Sequence, residues 1–91
     1  MMQDIDHETD RHRFTTTVEE HLCVLEYDLD GSKMTITHTR VPPAVGGKGI
    51  AAKLTEFALT TARINSWRVV PRCSYAAVYM ERHPEYADLK A

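Results

Sequence analysis

Cysteine is scarce in this chain: there are two, Cys23 and Cys73, far apart. A disulfide scaffold needs several and a zinc motif needs close pairs, so both are excluded, and a reduced, cytoplasmic setting is the expectation. No apolar run approaches a membrane span. The opening segment MMQDIDHETDRHRF is polar and acidic, unlike a signal peptide. A basic excess is missing too. Eleven Lys and Arg stand against thirteen Asp and Glu, for a net charge of -2. Neither a nucleic acid nor a membrane is expected as partner. The five histidines are scattered. His7 and His12 fall in a lead-in read as frayed, the others are isolated, and no metal site is expected.

What remains is an ordinary globular composition, 43% hydrophobic and 26% charged in 91 residues. That is enough for one domain with a modest core. We take residues 1–12 as a polar tail and 13–91 as the domain. RFTTTV (Arg13–Val18) is β-branched and reads as a strand. HLCVLEYDL (His21–Leu29) alternates, with Cys23, Leu25, Tyr27 and Leu29 on one side. Asp30-Gly31-Ser32 signals a hairpin. KMTITHTRV (Lys33–Val41) is the next strand, with Met34, Ile36, His38 and Arg40 expected to share a face. Pro42 and Pro43 end it. Ile50, Leu54, Phe57, Ala58, Thr61 and Ile64 recur at helical spacing, and Asn65 is a left-handed stop. WRVVP (Trp67–Pro71) is a short strand with Trp67 as packing. SYAAVYMERH (Ser74–His83) is a second helix stopped by Pro84. The order β-β-β-α-β-α predicts a mixed α/β fold. It has an antiparallel meander, and a helix crosses over between two adjacent parallel strands.

The segment TRVPPAVGGKGIAAKL (Thr39–Leu54) places three glycines around Lys48, directly ahead of the first helix. A strand, a glycine turn and a helix N-terminus form an anion site, because free amides and the positive helix end face the turn. Three phosphate ligands compete. A P-loop fails, since Gly47-Lys48 is followed by Gly49 rather than Ser or Thr, and Pro42 stands where its first glycine belongs. A dinucleotide fingerprint matches Gly47-Lys48-Gly49-Ile50-Ala51-Ala52. It follows a meander, however, and the next strand ends Val70-Pro71-Arg72-Cys73 with no acid for the ribose. The third ligand is the pyrophosphate of coenzyme A.

Here the chain resembles the GNAT superfamily of N-acetyltransferases, whose acetyl-CoA loop reads [QR]-x-x-G-x-[GA]. Gly47 and Gly49 match its two small positions. HTRVPP before the loop and VVPRCSYAAVYMERHPEYADL after it are similar to a small single-domain, YjdJ-like subgroup. RHPEY (Arg82–Tyr86) is the most distinctive part. The likeness runs from about Arg13 to Leu89. The chain departs from the pattern at Ala44, in the Gln/Arg position, and at Gly46, often Arg. The resemblance implies a truncated GNAT fold and acetyl-CoA as co-substrate, without metal. It also implies an amine acceptor, small molecule or peptide. Larger members complete the acceptor site with helices and strands for which this chain has no room. A non-catalytic acyl-CoA binding or sensing module on the same core is therefore the alternative.

Transfer from a thioester needs a neutral amine, donors for the developing oxyanion and a proton for the leaving thiolate. The resemblance places the carbonyl at backbone N–H groups near Arg40 and Val41. The loop Val45, Gly46, Gly47, Lys48, Gly49 and Ile50 is the expected pyrophosphate cradle. Cys73 opens the second helix, where the dipole lowers a thiol's pKa. The family has a cysteine there, close to the acetyl group. It is either a covalent acetyl carrier or a small packing residue. His38 is either a general base or a hydrogen-bonded core histidine. Tyr79 is either the proton donor to the CoA sulfur or a packing tyrosine. Arg82 and His83 meet a CoA phosphate or ribose, or simply complement the helix end. Cys23 is core.

Overall fold

A computed structural model describes residues 4–91. Five strands form one sheet in chain order: β1 (Asp6–Glu8), β2 (Arg13–Val18), β3 (His21–Asp30), β4 (Lys33–Arg40) and β5 (Arg68–Pro71). The first four are antiparallel neighbours, and β4 and β5 are parallel, joined through α1 (Ile50–Ile64). Helix α2 (Ser74–Arg82) follows β5, and a 3-10 turn at Pro84–Leu89 closes the fold. The expected meander and parallel crossover are both present.

Alternation decides which face of the sheet is dry. Phe14, Cys23, Leu25, Tyr27, Met34, Ile36 and Val69 point to one side and form a single core with Leu54, Ala58 and Leu59 of α1 and with Ala76 and Met80 of α2. Each large side chain buried there contributes about 1.5–3 kcal/mol by leaving water. The stripe of α1 is Ile50, Leu54, Thr55, Ala58, Leu59 and Ala62. Phe57 and Ile64, expected on it, lie off it, with Ile64 77% exposed. Phe57 instead meets Phe14 edge-on, with ring centroids 5.6 Å apart. The helix stop also sits one residue later than expected: Asn65 has φ -91, and Ser66 takes the left-handed conformation at φ 59.

Two further expectations are corrected. The lead-in is not frayed where it is described. Asp6–Glu8 pairs with β2, His7 stacks on Phe14 at 4.2 Å, and its Nε2 lies 2.6 Å from the Tyr27 hydroxyl. His12 stacks on the same Tyr27. Short polar DHE carries no β-branched signal, yet a ring sandwich and a free sheet edge recruit it.

The second correction concerns β4. Glu26 is paired with His38 and Tyr27 with Ile36, which leaves Thr37 unpartnered as a β-bulge. One extra residue reverses the alternation beyond it. Met34 and Ile36 face the core, whereas Thr39 takes that side next, opposite Leu25. His38 and Arg40 are turned to the other face and are exposed. His38 is therefore not a core histidine.

The β2–β3 hairpin has a two-residue tip, Glu19-Glu20, closed by the Val18–His21 pair. Both residues have positive φ, 50 and 68. That is the backbone of the hairpin turn that suits Asn-Gly. A non-glycine residue there costs about 1–2 kcal/mol.

Candidate functional site

The parallel pair is short. Its last register partners are Ile36 and Pro71, after which Arg72 and Cys73 both donate their N–H to the Ile36 carbonyl, at 3.1 and 2.9 Å. The chain then turns into α2. Strand β4 runs on through the bulge to Arg40 without a β5 partner. The two strands thus part at their carboxyl ends, with the glycine loop following one and Cys73 following the other.

After β4, Pro43–Val45 make one 3-10 turn, and Val45 is fully buried as the anchor of the loop. Gly47 and Gly49 have φ 78 and 76, a left-handed backbone that glycine adopts freely. Gly46 has an ordinary φ of -68, so its conformation does not require glycine. Gly49 is the N-cap of α1, and no side chain caps the helix. The first helical amide bond is Lys53 N–H to the Gly49 carbonyl, 3.1 Å. The amides of Ile50, Ala51 and Ala52 are thus left for an outside acceptor. The Ile50 side chain itself is buried in the core. From this loop Val45 and Ile50 therefore offer backbone only. Lys48 is exposed, and its ammonium lies 3.1 Å from the Glu19 carboxylate.

Cys73 is the N-cap of α2, half-buried, with a free thiol. Its S–H donates to the Thr39 hydroxyl at 3.6 Å. Partial burial pushes the thiol pKa up. The amide of Ala76, the Thr39 hydroxyl, and the amides of Tyr75 and Thr39 together outweigh it and hold the thiol below its ordinary value. Cys23 is the opposite case: buried in the core, with its thiol pushed up by desolvation. Sequence reasoning missed Thr39. Nothing marks it out from Thr35 and Thr37 until the bulge turns it toward Cys73.

His38 is not brought to Cys73. It lies back to back with Thr39 across β4, on the outer face, its Nδ1 3.9 Å from the Glu26 carboxylate. Val41 is half-buried against the core where β4 ends. Tyr79 and Arg82 both line a groove of about 320 Å³ between α1 and α2, with Lys53 and Glu56 on the other wall and Tyr86 at its end. The Tyr79 hydroxyl pKa is pushed up to about 12, by burial first and then by Tyr86 and Glu56, so it stays protonated. His83 stacks on the Tyr79 ring at 3.9 Å and donates from Nδ1 to the Tyr79 carbonyl at 2.8 Å. Its ring thus closes off the last turn of α2.

Two helix starts converge on one strand gap, and a groove runs between the helices. This arrangement can hold a long, bent ligand with an anionic middle and a reactive end. The chain matches the model of the GCN5-related N-acetyltransferases over residues 13–89. It is 26% identical to a GCN5-like protein from Staphylococcus aureus solved by NMR in solution. That match has a TM-score of 0.76 and covers 97% of this chain and 87% of that one. The family match runs from the start of β2 to Leu89 and takes in both helix starts and the parallel pair between them. The chain belongs to the GCN5-related N-acetyltransferase family.

Proposed function

We propose that the chain is an acetyl-CoA-dependent N-acetyltransferase, carried by residues 13–91, that moves an acetyl group from CoA to an amine. The observation that supports it is the parting of β4 and β5, with open amides after one strand and a thiol of lowered pKa after the other. The pyrophosphate sits on the amides of Gly47 to Ala52, a charge well placed at the positive end of α1. The rest of the cofactor follows the groove past Tyr79 and Arg82. The thioester enters the gap, where amides of β4 near Arg40 and Val41 receive its carbonyl oxygen as charge develops.

Within that gap the Cys73 thiolate attacks the thioester carbonyl, CoA leaves as a thiolate and takes up a proton, and an acetyl-cysteine thioester remains. A neutral amine then attacks that carbonyl, Cys73 departs, and the amine's proton is passed on. That proton passes to solvent, because His38, turned to the outer face of β4, does not face the thiol. Free CoA release from acetyl-CoA, followed across peptide amines, polyamines and small amines, tests the reading. The wild-type protein should gain one acetyl group by mass. Cys73→Ser should not gain it, and Cys73→Ala should keep CoA binding. CoA binding with no thiol release above background would overturn catalysis and leave an acyl-CoA binding module.

A further inference from the structure

The lysine of the glycine loop is already occupied. Lys48 Nζ lies 3.1 Å from the Glu19 carboxylate, which belongs to a different element, the tip of the β2–β3 hairpin. Topology brings the two together. Val24 is paired with Arg40, so the hairpin tip projects past the carboxyl end of β4, where the glycine loop begins. The tip is held in an unfavourable backbone, two successive glutamates at positive φ, a turn that glycine or asparagine would adopt more readily. Strain at a fixed position calls for a compensating role. The ion pair on Lys48 is what the tip makes there.

The geometry points to Glu19 as an affinity-determining residue of the cofactor site: its carboxylate occupies Lys48 in the free protein and competes there with the CoA pyrophosphate. This inference rests on the CoA reading of the loop. With Gly46 where an arginine is common, Lys48 is the one cation within the loop Val45–Ile50. Glu19 cancels that cation's charge. A pyrophosphate reaching the open amides of α1 displaces the carboxylate and then lies beside it. Both the broken pair and the repulsion lower affinity. The consequence is a cofactor that binds and leaves readily, held by backbone amides more than by charge.

Calorimetric titration of CoA into wild type, Glu19→Gln and Glu20→Gln tests this. Glu20 shares the turn but forms no ion pair among the described residues. Glu19→Gln should tighten CoA roughly three- to tenfold, the scale of one exposed pair plus one like-charge contact. Glu20→Gln should stay within about twofold. Dephospho-CoA lacks the 3′-phosphate but keeps the pyrophosphate, and it should gain by the same factor. Lys48→Gln should weaken CoA more in the Glu19→Gln background than in wild type. Unchanged or weaker CoA binding in Glu19→Gln would overturn the inference alone. An equal gain in Glu20→Gln would do the same, because it would reduce the effect to net charge. No CoA binding by wild type or Glu19→Gln would overturn the CoA reading, and the inference with it.

Discussion

At the start of α1 the N-cap is a glycine at φ 76, two residues after another left-handed glycine and open to solvent. At the start of α2 the N-cap is a cysteine at φ -68, half-buried and in contact with Thr39. Both helices present unpaired amides, and both positive ends favour a negative charge. The surroundings decide which charge. Around α1 no side chain fills the space at Gly47 and Gly49, which leaves room for an anionic ligand. Around α2 the space holds a thiol, whose loss of a proton the nearby amides favour. On the proposed reading, equivalent backbone electrostatics would serve recognition at one end of the gap and reactivity at the other.

Gly47→Val is the strongest way to break the comparison. A β-branched residue at φ 78 is strained by about 1–2 kcal/mol, and its side chain enters the open space before the α1 amides. CoA affinity should fall by at least about tenfold. The reactivity of Cys73 in the absence of CoA should be unchanged. A titration that matches wild type would show that the loop is not the anion cradle.

Thr39→Val sharpens the other half. Removing one hydroxyl from the thiol should move the midpoint of Cys73 alkylation to higher pH and slow labelling near neutrality. Thr39→Ser should restore it, and CoA affinity should move by less than about twofold. The core thiol Cys23 should label slowly in all three proteins. An unshifted pH profile in Thr39→Val would leave the helix amides as the sole cause of the lowered pKa.

The smallest effect concerns neither helix start and serves as their control. Burial, and then the charge of His12, hold the His7 pKa below its ordinary 6.5. On acidification the unfolded chain therefore takes up this proton before the folded one. The stability linked to His7 is complete above about pH 6.5 and is lost as pH falls from there through the folded pKa. Thermal melts of wild type and His7→Gln should converge by about a few degrees toward acid. Cofactor binding should be untouched. Parallel melting curves across that range would mean that His7 titrates alike in both states.

The strands with β-branched or alternating residues, the Asp30-Gly31-Ser32 turn, both helices and the parallel crossover are legible because each has a period or a breaker. The site is legible in part for the same reason: glycines and a cysteine follow two strands that a helix forces to be parallel. Features set by one residue's displacement are not legible. The Thr37 bulge hides within a strand whose Thr35, Thr37 and Thr39 suggest unbroken alternation, so His38 was expected inside and Thr39 was overlooked. Strand β1 has no propensity of its own and exists through the Phe14 and Tyr27 rings. The Glu19–Lys48 contact depends on hairpin register, which Glu-Glu does not advertise.

The bulge on β4 acts like an inserted letter in a message read two at a time. Everything upstream keeps its meaning, and everything downstream swaps inside for outside. Were Thr37 paired with Glu26 instead of bulged, the frame would run on unbroken. His38 would then lie opposite Leu25, on the core side that Thr39 now occupies, and Thr39 would turn to the other face. The same residues would then present different side chains to Cys73. Which side chains of β4 face Cys73 is therefore set less by their identity than by an odd or even count along a single strand.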